Sequence, residues 1–196
     1  MPNHVAGILL AAGESKRLGQ PKQLLDWKGK PFVRQVAETA LASLLDSVIV
    51  VTGAAAAEVS AALDGLPVTL VHNPRFAEGQ STSVQAGLAA LPPQARAALF
   101  LVSDQPQLPV ALIDTLRAQH AASSAPIVAT LVDDQRSNPV LFDRVTFPHF
   151  AELQGDVGGR ALFSRFQVTW VPWLDASLSI DVDTLEDYER LKRAAG

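Results

Sequence analysis

The 196-residue sequence predicts an α/β protein in which a mostly parallel central sheet carries helices on both faces. Three observations carry this. Short continuous apolar runs recur along the chain, as expected of strands covered on both sides. Segments with apolar residues at helical spacing alternate with those runs, and the Pro and Gly residues fall mainly between the two kinds.

The first strand is Val5–Ala11. A helix follows over Pro31–Ser43, where Val33, Val36, Ala37, Ala40 and Leu41 share one face and Pro31 stands near the start, where its missing N–H is harmless. The pattern then repeats: strand Ser47–Thr52, helix Ala55–Leu63, strand Val68–Val71, helix Ser81–Leu91, strand Ala97–Val102, helix Val110–Ala121 after Pro109, and strand Ile127–Val132. A less regular run, Val168–Val171, completes the series. No linker interrupts the chain, so a single domain is expected, with about residues 138–180 forming a smaller lobe over the sheet. In such sheets ligands collect outside the carboxyl ends of the strands. Function is therefore expected in the loops that follow strands.

Composition removes several classes. Hydrophobic residues make up 48 % of the chain, enough to bury a core without a metal or disulfide staple. With 16 basic against 20 acidic side chains the net charge is −4, which gives no electrostatic footprint for nucleic acid or an anionic membrane. Zero cysteines exclude thiolate catalysis and Cys-ligated zinc or iron–sulfur sites. The apolar run Val5–Ala12 is far shorter than the roughly 20 residues of a membrane span, and nothing directs export. Cytoplasm is the expected location.

The loop after the first strand, Leu9–Lys22, combines Ala12, Gly13 and Gly19 with Ser15, Lys16, Arg17 and Lys22. Small residues let backbone N–H groups approach phosphate oxygens, while Arg17 offers a forked contact and Lys22 a compact charge. It is neither a dinucleotide fingerprint nor a P-loop.

Here the sequence resembles the MobA-like nucleotidyltransferases of the molybdenum cofactor, the cytidylyltransferase branch in particular. The opening motif reads Leu10, Ala11, Ala12, Gly13, Ser15, Arg17, Gly19 and Lys22. Asn73–Gly87 resembles the second motif through Asn73, Pro74, Gly79, Ser83 and Gly87, and Ser103–Pro106 (SDQP) resembles the metal-binding motif. Asn138–Phe142, Gly155–Arg160 and Asp181–Asp187 resemble the remaining three. The resemblance implies a Rossmann-like, glycosyltransferase-A-type fold and Mg²⁺-dependent transfer of CMP from CTP to a molybdopterin-type phosphate, with pyrophosphate released. The guanylyl branch usually carries a second glycine where this chain has Ala12, so CTP is favoured over GTP. One departure is RSNPVLF, where Ser137 and Asn138 stand in place of the family's more usual glycine and histidine.

In this reaction an acceptor phosphate, already a nucleophilic anion, attacks the α-phosphorus. Catalysis is positioning plus neutralisation of charge, and no general base is needed. Arg17, Lys22 and Asp104 are the catalytic candidates. The nucleotide-binding candidates are Leu10, Ala11, Ala12, Gly13, Ser15, Arg17, Lys22, Asn73, Gly79 and Ser83, with Lys16 a solvated neighbour. Asn73, held extended by Pro74, suits a turn anchor as well as a ribose or base contact; Ser83 suits a base contact or a helix N-cap. Asp104 and Asp183 are the expected metal ligands. Asp104 could otherwise cap a turn ahead of Pro106. Asp181 is the fallback for Asp183, since alternation on an extended segment would leave only one of the two facing Asp104, and either could instead cap the helix LEDYERLK, as could Thr184. The glycine-rich GDVGGR offers a backbone nest, so the acceptor candidates are Asn138, Asp156, Gly158 and Arg160. His4, His72, His120 and His149 show no metal-ligand spacing, and Trp27, Trp170 and Trp173 read as packing residues.

The partners implied are CTP, the phosphate acceptor, and a molybdenum hydroxylase or its maturation chaperone as recipient. Two alternatives stand beside this reading: transfer to a sugar or polyol phosphate, and a non-catalytic nucleotide- or cofactor-binding module.

Overall fold

The computed structural model describes residues 4–15, 17–123 and 125–194. Strand β1 (Val5–Ala11) leads through the first loop to a small hairpin, β2 (Asp26–Trp27) and β3 (Lys30–Pro31). Helix α1 (Phe32–Ala42), strand β4 (Ser47–Thr52), helix α2 (Ala56–Ala62) and strand β5 (Thr69–His72) follow. Next come helix α3 (Gln80–Ala89), strand β6 (Ala97–Val102), helix α4 (Val110–Ser123), strand β7 (Ile127–Val132) and strand β8 (Gln135–Asp143). Strand β9 (Val168–Pro172) and helix α5 (Leu185–Ala194) end the described chain.

The expected α/β architecture is present. Seven strands form one sheet in the order β5-β4-β1-β6-β8-β7-β9, and every neighbouring pair is parallel except the two that involve β8. The chain winds outward from β1 to β5 and returns to place β6 on the other side of β1. A crevice therefore opens where the carboxyl ends of β1 and β6 diverge.

Each face is sealed by its own core. Val33 and Val36 of α1, Val59 of α2 and Leu112 and Leu116 of α4 pack with Leu9, Val50, Leu99 and Leu101 on one side. On the other, Val84 of α3 joins Ile8, Val51, Phe100, Phe142 and Phe150. Each such side chain stabilises the fold by about 1.5–3 kcal/mol on leaving water. Helix α3 comes especially close to the sheet: a Cβ on Gly87 would stand 2.5 Å from a methyl of Ile8. That proximity holds the first turn of α3 at the crevice. A third cluster unites Leu25, Trp27, Phe32, Val182 and Leu191, binding the segment before α5 to the end of the first loop.

Strand β8 departs from expectation. Its first half, Gln-Arg-Ser-Asn, is polar, and Pro139 lacks the N–H that a central strand donates, so the segment from Asn138 is expected in a smaller lobe over the sheet and not within it. The sheet accommodates this with a register shift in β7 at Ala129/Thr130, opposite Pro139. Residues 138–180 accordingly divide. Strands β8 and β9 belong to the central sheet, and 3-10 turns over Arg144–Glu152 and Gly159–Ser164 cover the α3 face beside them.

Candidate active site

Strand β1 ends directly beneath the crevice, with Ala11 buried and Ala12 opening onto it. The buried amide of Gln23 donates to the carbonyl oxygens of Ala11 at 3.2 Å and Gly13 at 2.7 Å. Ser15, at a φ of 53°, accepts from the backbone N–H of Lys22 at 2.9 Å. The loop is thereby closed on itself, and Lys22 projects inward. Its ammonium lies 2.5 Å from Asp104 Oδ2 and 3.3 Å from Asp183 Oδ1, while Arg17 reaches Asp183 Oδ2 at 2.8 Å. Lys16 lies outside the described residues.

Asp104 stands just past β6, at the carboxyl edge, and faces the cleft rather than capping a turn. Burial works against the charge of Lys22, but Asp104 and Asp183 outweigh it and hold its pKa above the ordinary lysine value. The segment 181–183 is not a regular strand, so the strict alternation expected there does not apply. Both aspartates reach the centre: Asp183 through Lys22 and Arg17, Asp181 along the wall that also holds Asp104. Crowding of the Asp181 carboxyl by that wall, and then the negative charge of Asp104, push its pKa above the ordinary aspartate value. Neither aspartate caps α5. Thr184 and Asp187 cap it reciprocally, with Asp187 Oδ2 accepting from Thr184 N at 3.0 Å and Thr184 Oγ1 accepting from Asp187 N at 3.2 Å.

Two glutamines that sequence reasoning passed over fix this meeting. Gln105 Nε2 donates to the Leu178 carbonyl at 3.1 Å and to Asp181 Oδ1 at 3.0 Å; Gln107 Nε2 donates to the carbonyls of Ser177 and Ile180 at 3.0 and 3.1 Å. Asp104 is therefore followed by two amides that stitch the segment 177–181, Asp181 included, to its own loop. Their only sequence signal is proximity to Asp104.

The second motif supplies the opposite wall. Gly79, at φ 111°, precedes α3, and a Cβ there would stand 2.2 Å from the carbonyl carbon of Gly155. The GDVGGR turn thus docks on the start of α3, where Ser81 N donates to the Gly155 carbonyl at 3.1 Å. Ser83 faces the cleft from inside the helix, not as its N-cap. Of the two roles the sequence leaves open for Asn73, the structure shows the turn anchor. Its buried amide donates to Thr82 Oγ1 at 2.9 Å and Ser83 Oγ at 3.0 Å, and its oxygen accepts from Arg75 N. With its amide so engaged, Asn73 anchors the turn from behind the cleft instead of lining it.

These residues frame two adjoining cavities. One, of about 470 Å³, is lined by Ala12, Gly13, Lys22, Gly79, Ser83 and Asp104. The other, of about 620 Å³, is lined by Asn138, Asp156, Gly158 and Arg160 together with Asp104 and Asp181. Leu10, Gln80, Val102, Asp104 and Asp156 border both. All four acceptor candidates thus meet in one cavity, although Asp156 also faces the first. Gly158 is where Gln80 approaches, since a Cβ there would lie 2.6 Å from Gln80 Oε1.

Chemically, one cavity offers small-residue backbone and the ammonium of Lys22, the other an arginine and a glycine-rich turn, and Asp104 stands where they join. Among the described residues no three His, Cys, Asp or Glu side chains are already gathered as a metal cluster. The donor chemistry nevertheless suits a hard divalent ion, because the ammonium of Lys22 already bridges Asp104 and Asp183 as a stand-in cation. Of the tryptophans, Trp27 and Trp173 pack in the interior as expected, whereas Trp170 is partly exposed at the sheet edge.

Comparison with known proteins agrees with this geometry. Residues 7–169 match the model of the MobA-like NTP transferase domain. The chain is 34 % identical to nicotine blue oxidoreductase of Paenarthrobacter nicotinovorans over 95 % of its length and 96 % of the relative's. It is also 34 % identical to the purine catabolism protein PucB of Bacillus subtilis over 97 % of each, and 25 % identical to the molybdenum cofactor cytidylyltransferase of Escherichia coli over 92 % of each. Rv0371c of Mycobacterium tuberculosis superposes with a TM-score of 0.87 at 29 % identity, covering 98 % of this chain and 100 % of that one. A manganese complex of the same protein superposes with a TM-score of 0.79 at 30 % identity, covering 96 % and 97 %.

Proposed function

Because the chain belongs to the MobA-like NTP transferase family and is a nucleotidyltransferase, we propose that it transfers CMP from CTP to the phosphate of a molybdopterin-type acceptor, releasing pyrophosphate. The observation that carries this reading is that Asp104 borders both cavities while Lys22 rests on it, so a triphosphate and an acceptor phosphate would meet at one charged junction.

In this reading the triphosphate lies along Ala12 and Gly13, where Gln23 holds the carbonyls of Ala11 and Gly13 and the N–H groups are left for phosphate oxygens. Lys22 and Arg17 exchange their carboxylate partners for the phosphates and follow the charge as it moves onto pyrophosphate. Arg160 and the GDVGGR turn hold the acceptor phosphate in line with the α-phosphorus. Asp104 and Asp183, with Asp181 beside them, would hold a divalent ion, Mg²⁺ in the cell, which neutralises the phosphates when bound. The manganese complex of a 30 % identical structure supports a divalent ion here. Ala12, in place of a second glycine, supports CTP over GTP. The reaction is assigned to the cytoplasm, with a molybdenum hydroxylase or its maturation chaperone as the recipient of the product; no helix of the described residues is long and apolar enough to cross a membrane.

The test is a panel of nucleoside triphosphates with molybdopterin or a sugar phosphate as acceptor, read as pyrophosphate release. CTP with molybdopterin is expected to be fastest, and Ala12→Gly to narrow the gap between CTP and GTP. A preference of the native chain for GTP, or for sugar phosphates, contradicts the assignment. The 34 % identity to a protein named an oxidoreductase favours a second reading, redox chemistry with a nicotinamide dinucleotide in the same crevice. Oxidation of NADH or NADPH by the purified protein with nicotine blue supplied as the electron acceptor, without pyrophosphate release from any triphosphate, would select it.

A further inference from the structure

The acceptor cavity continues past Arg160. A groove of about 490 Å³ opens toward the edge strand β9, and Arg160 and Ala161 line both spaces. Its far walls are Arg136, Phe163, Phe166 and Trp170. Arg136 lies two residues before Asn138 on β8, whose N-terminal half reaches the same carboxyl edge as Asp104 because β8 runs antiparallel to β6. The Arg136 guanidinium is 5.6 Å from the ring centre of Phe163 and 6.0 Å from that of Trp170, and those two rings meet edge to face at 5.6 Å. Trp170 keeps 36 % of its surface exposed. Arg136 stands in no ion pair among the described residues, on a chain whose net charge is −4.

Stabilising the sheet edge requires neither two arginines nor an open groove. Aromatic walls with planar guanidinium groups bind conjugated rings by stacking, and the guanidinium forks donate hydrogen bonds to oxygen atoms at the ring edge. The volume falls within the range of small-molecule sites. We propose that this groove is the outer subsite of the acceptor cavity and takes a planar, conjugated heterocycle with an oxygen-bearing or anionic edge, while Arg160 holds the phosphate at the other end. The proposal rests on the reading of the adjoining cavity as the acceptor site.

The experiment uses the full chain and two probes, pterin-6-carboxylate and uncharged pterin, with binding followed by calorimetry. The carboxylate is expected to bind the native chain more tightly than pterin. Arg136→Ala and Trp170→Ala are each expected to weaken it at least about tenfold with CTP binding unchanged, whereas Trp170→Phe stays within about threefold and Arg136→Lys does not restore affinity. Trp170→Phe also guards against a folding defect, since it retains the ring. Absence of probe binding at millimolar concentration, or equal affinity in native chain and alanine variants, overturns the subsite. Failure of the transfer reading is seen separately: probe binding with the expected variant dependence, together with no pyrophosphate release from any acceptor, rejects the adjoining cavity as an acceptor site and with it the role of this groove in transfer.

Discussion

Lys22 touches two carboxylates, one from the middle of the chain and one from near its end, and its ammonium is the charge around which the site is arranged. A cation shared by Asp104 and Asp183 can be surrendered to a triphosphate only if another positive charge takes its place, which ties nucleotide binding to divalent-ion binding. Replacing Asp104 by Asn keeps the shape and removes the charge. Turnover at saturating CTP should fall about 10²-fold or more, while CTP affinity without metal changes little; steady-state kinetics with a metal-free binding titration checks both. Gln105→Leu acts one step removed. It leaves Asp181 and the Leu178 carbonyl without their shared donor, so the divalent-ion concentration for half-maximal rate should rise by roughly tenfold, with metal-free CTP binding intact. An unchanged metal requirement would reduce Gln105 to a packing residue.

Among the elements, the turn before α3 is the most tightly specified. Gly79 occupies a backbone region open in practice to glycine alone, and any Cβ there meets the backbone of Gly155. Gly79→Ala should cost at least about 1–3 kcal/mol in denaturant unfolding and separate α3 from the GDVGGR turn, weakening both cavities together. At the other end of the scale is the link between β3 and α1. The hydrogen bond from Lys30, followed by that helix-side pairing with Arg34, holds the Glu38 carboxyl below its ordinary value of 4.5. A depressed native pKa means that the stabilisation is complete above that ordinary value and lost as pH falls through the lowered one. Native chain and Glu38→Gln should therefore differ by at most about 1 kcal/mol at neutral pH, less at high salt, and converge in acid. Legibility followed the same division. Strands β1, β4, β6 and β7 are covered on both faces and announce themselves as apolar runs, whereas β8 is polar where it meets the cleft and contains Pro139. Asp104, Lys22 and Gly79 were readable because their motifs are local. Asn73 was readable only as far as its turn, since which side of α3 its amide faces depends on Thr82 and Ser83. Gln23, Gln105 and Gln107 were not legible, because an amide gains meaning only from the distant carbonyl it meets.

Across the whole molecule, the grooves form a row along the carboxyl edge of the sheet, from Arg17 and Asp183 through the two central cavities to Trp170. The doubly wound topology provides the centre of that row. The antiparallel insertion of β8 extends it, by bringing Arg136 and Asn138 to an edge that a parallel strand would meet with its other end. The small cluster of Leu25, Trp27, Phe32, Val182 and Leu191 then holds the chain's two ends of the site together. The most direct measurement is an anomalous-scattering crystal structure of the chain with Mn²⁺ and a non-hydrolysable CTP analogue. One manganese peak is expected, bonded to Asp104 and to an aspartate of the 181–183 segment, with Lys22 moved onto phosphate oxygens beside Gly13. A peak remote from Asp104, or Lys22 still bridging the two carboxylates with the nucleotide bound elsewhere, would contradict it.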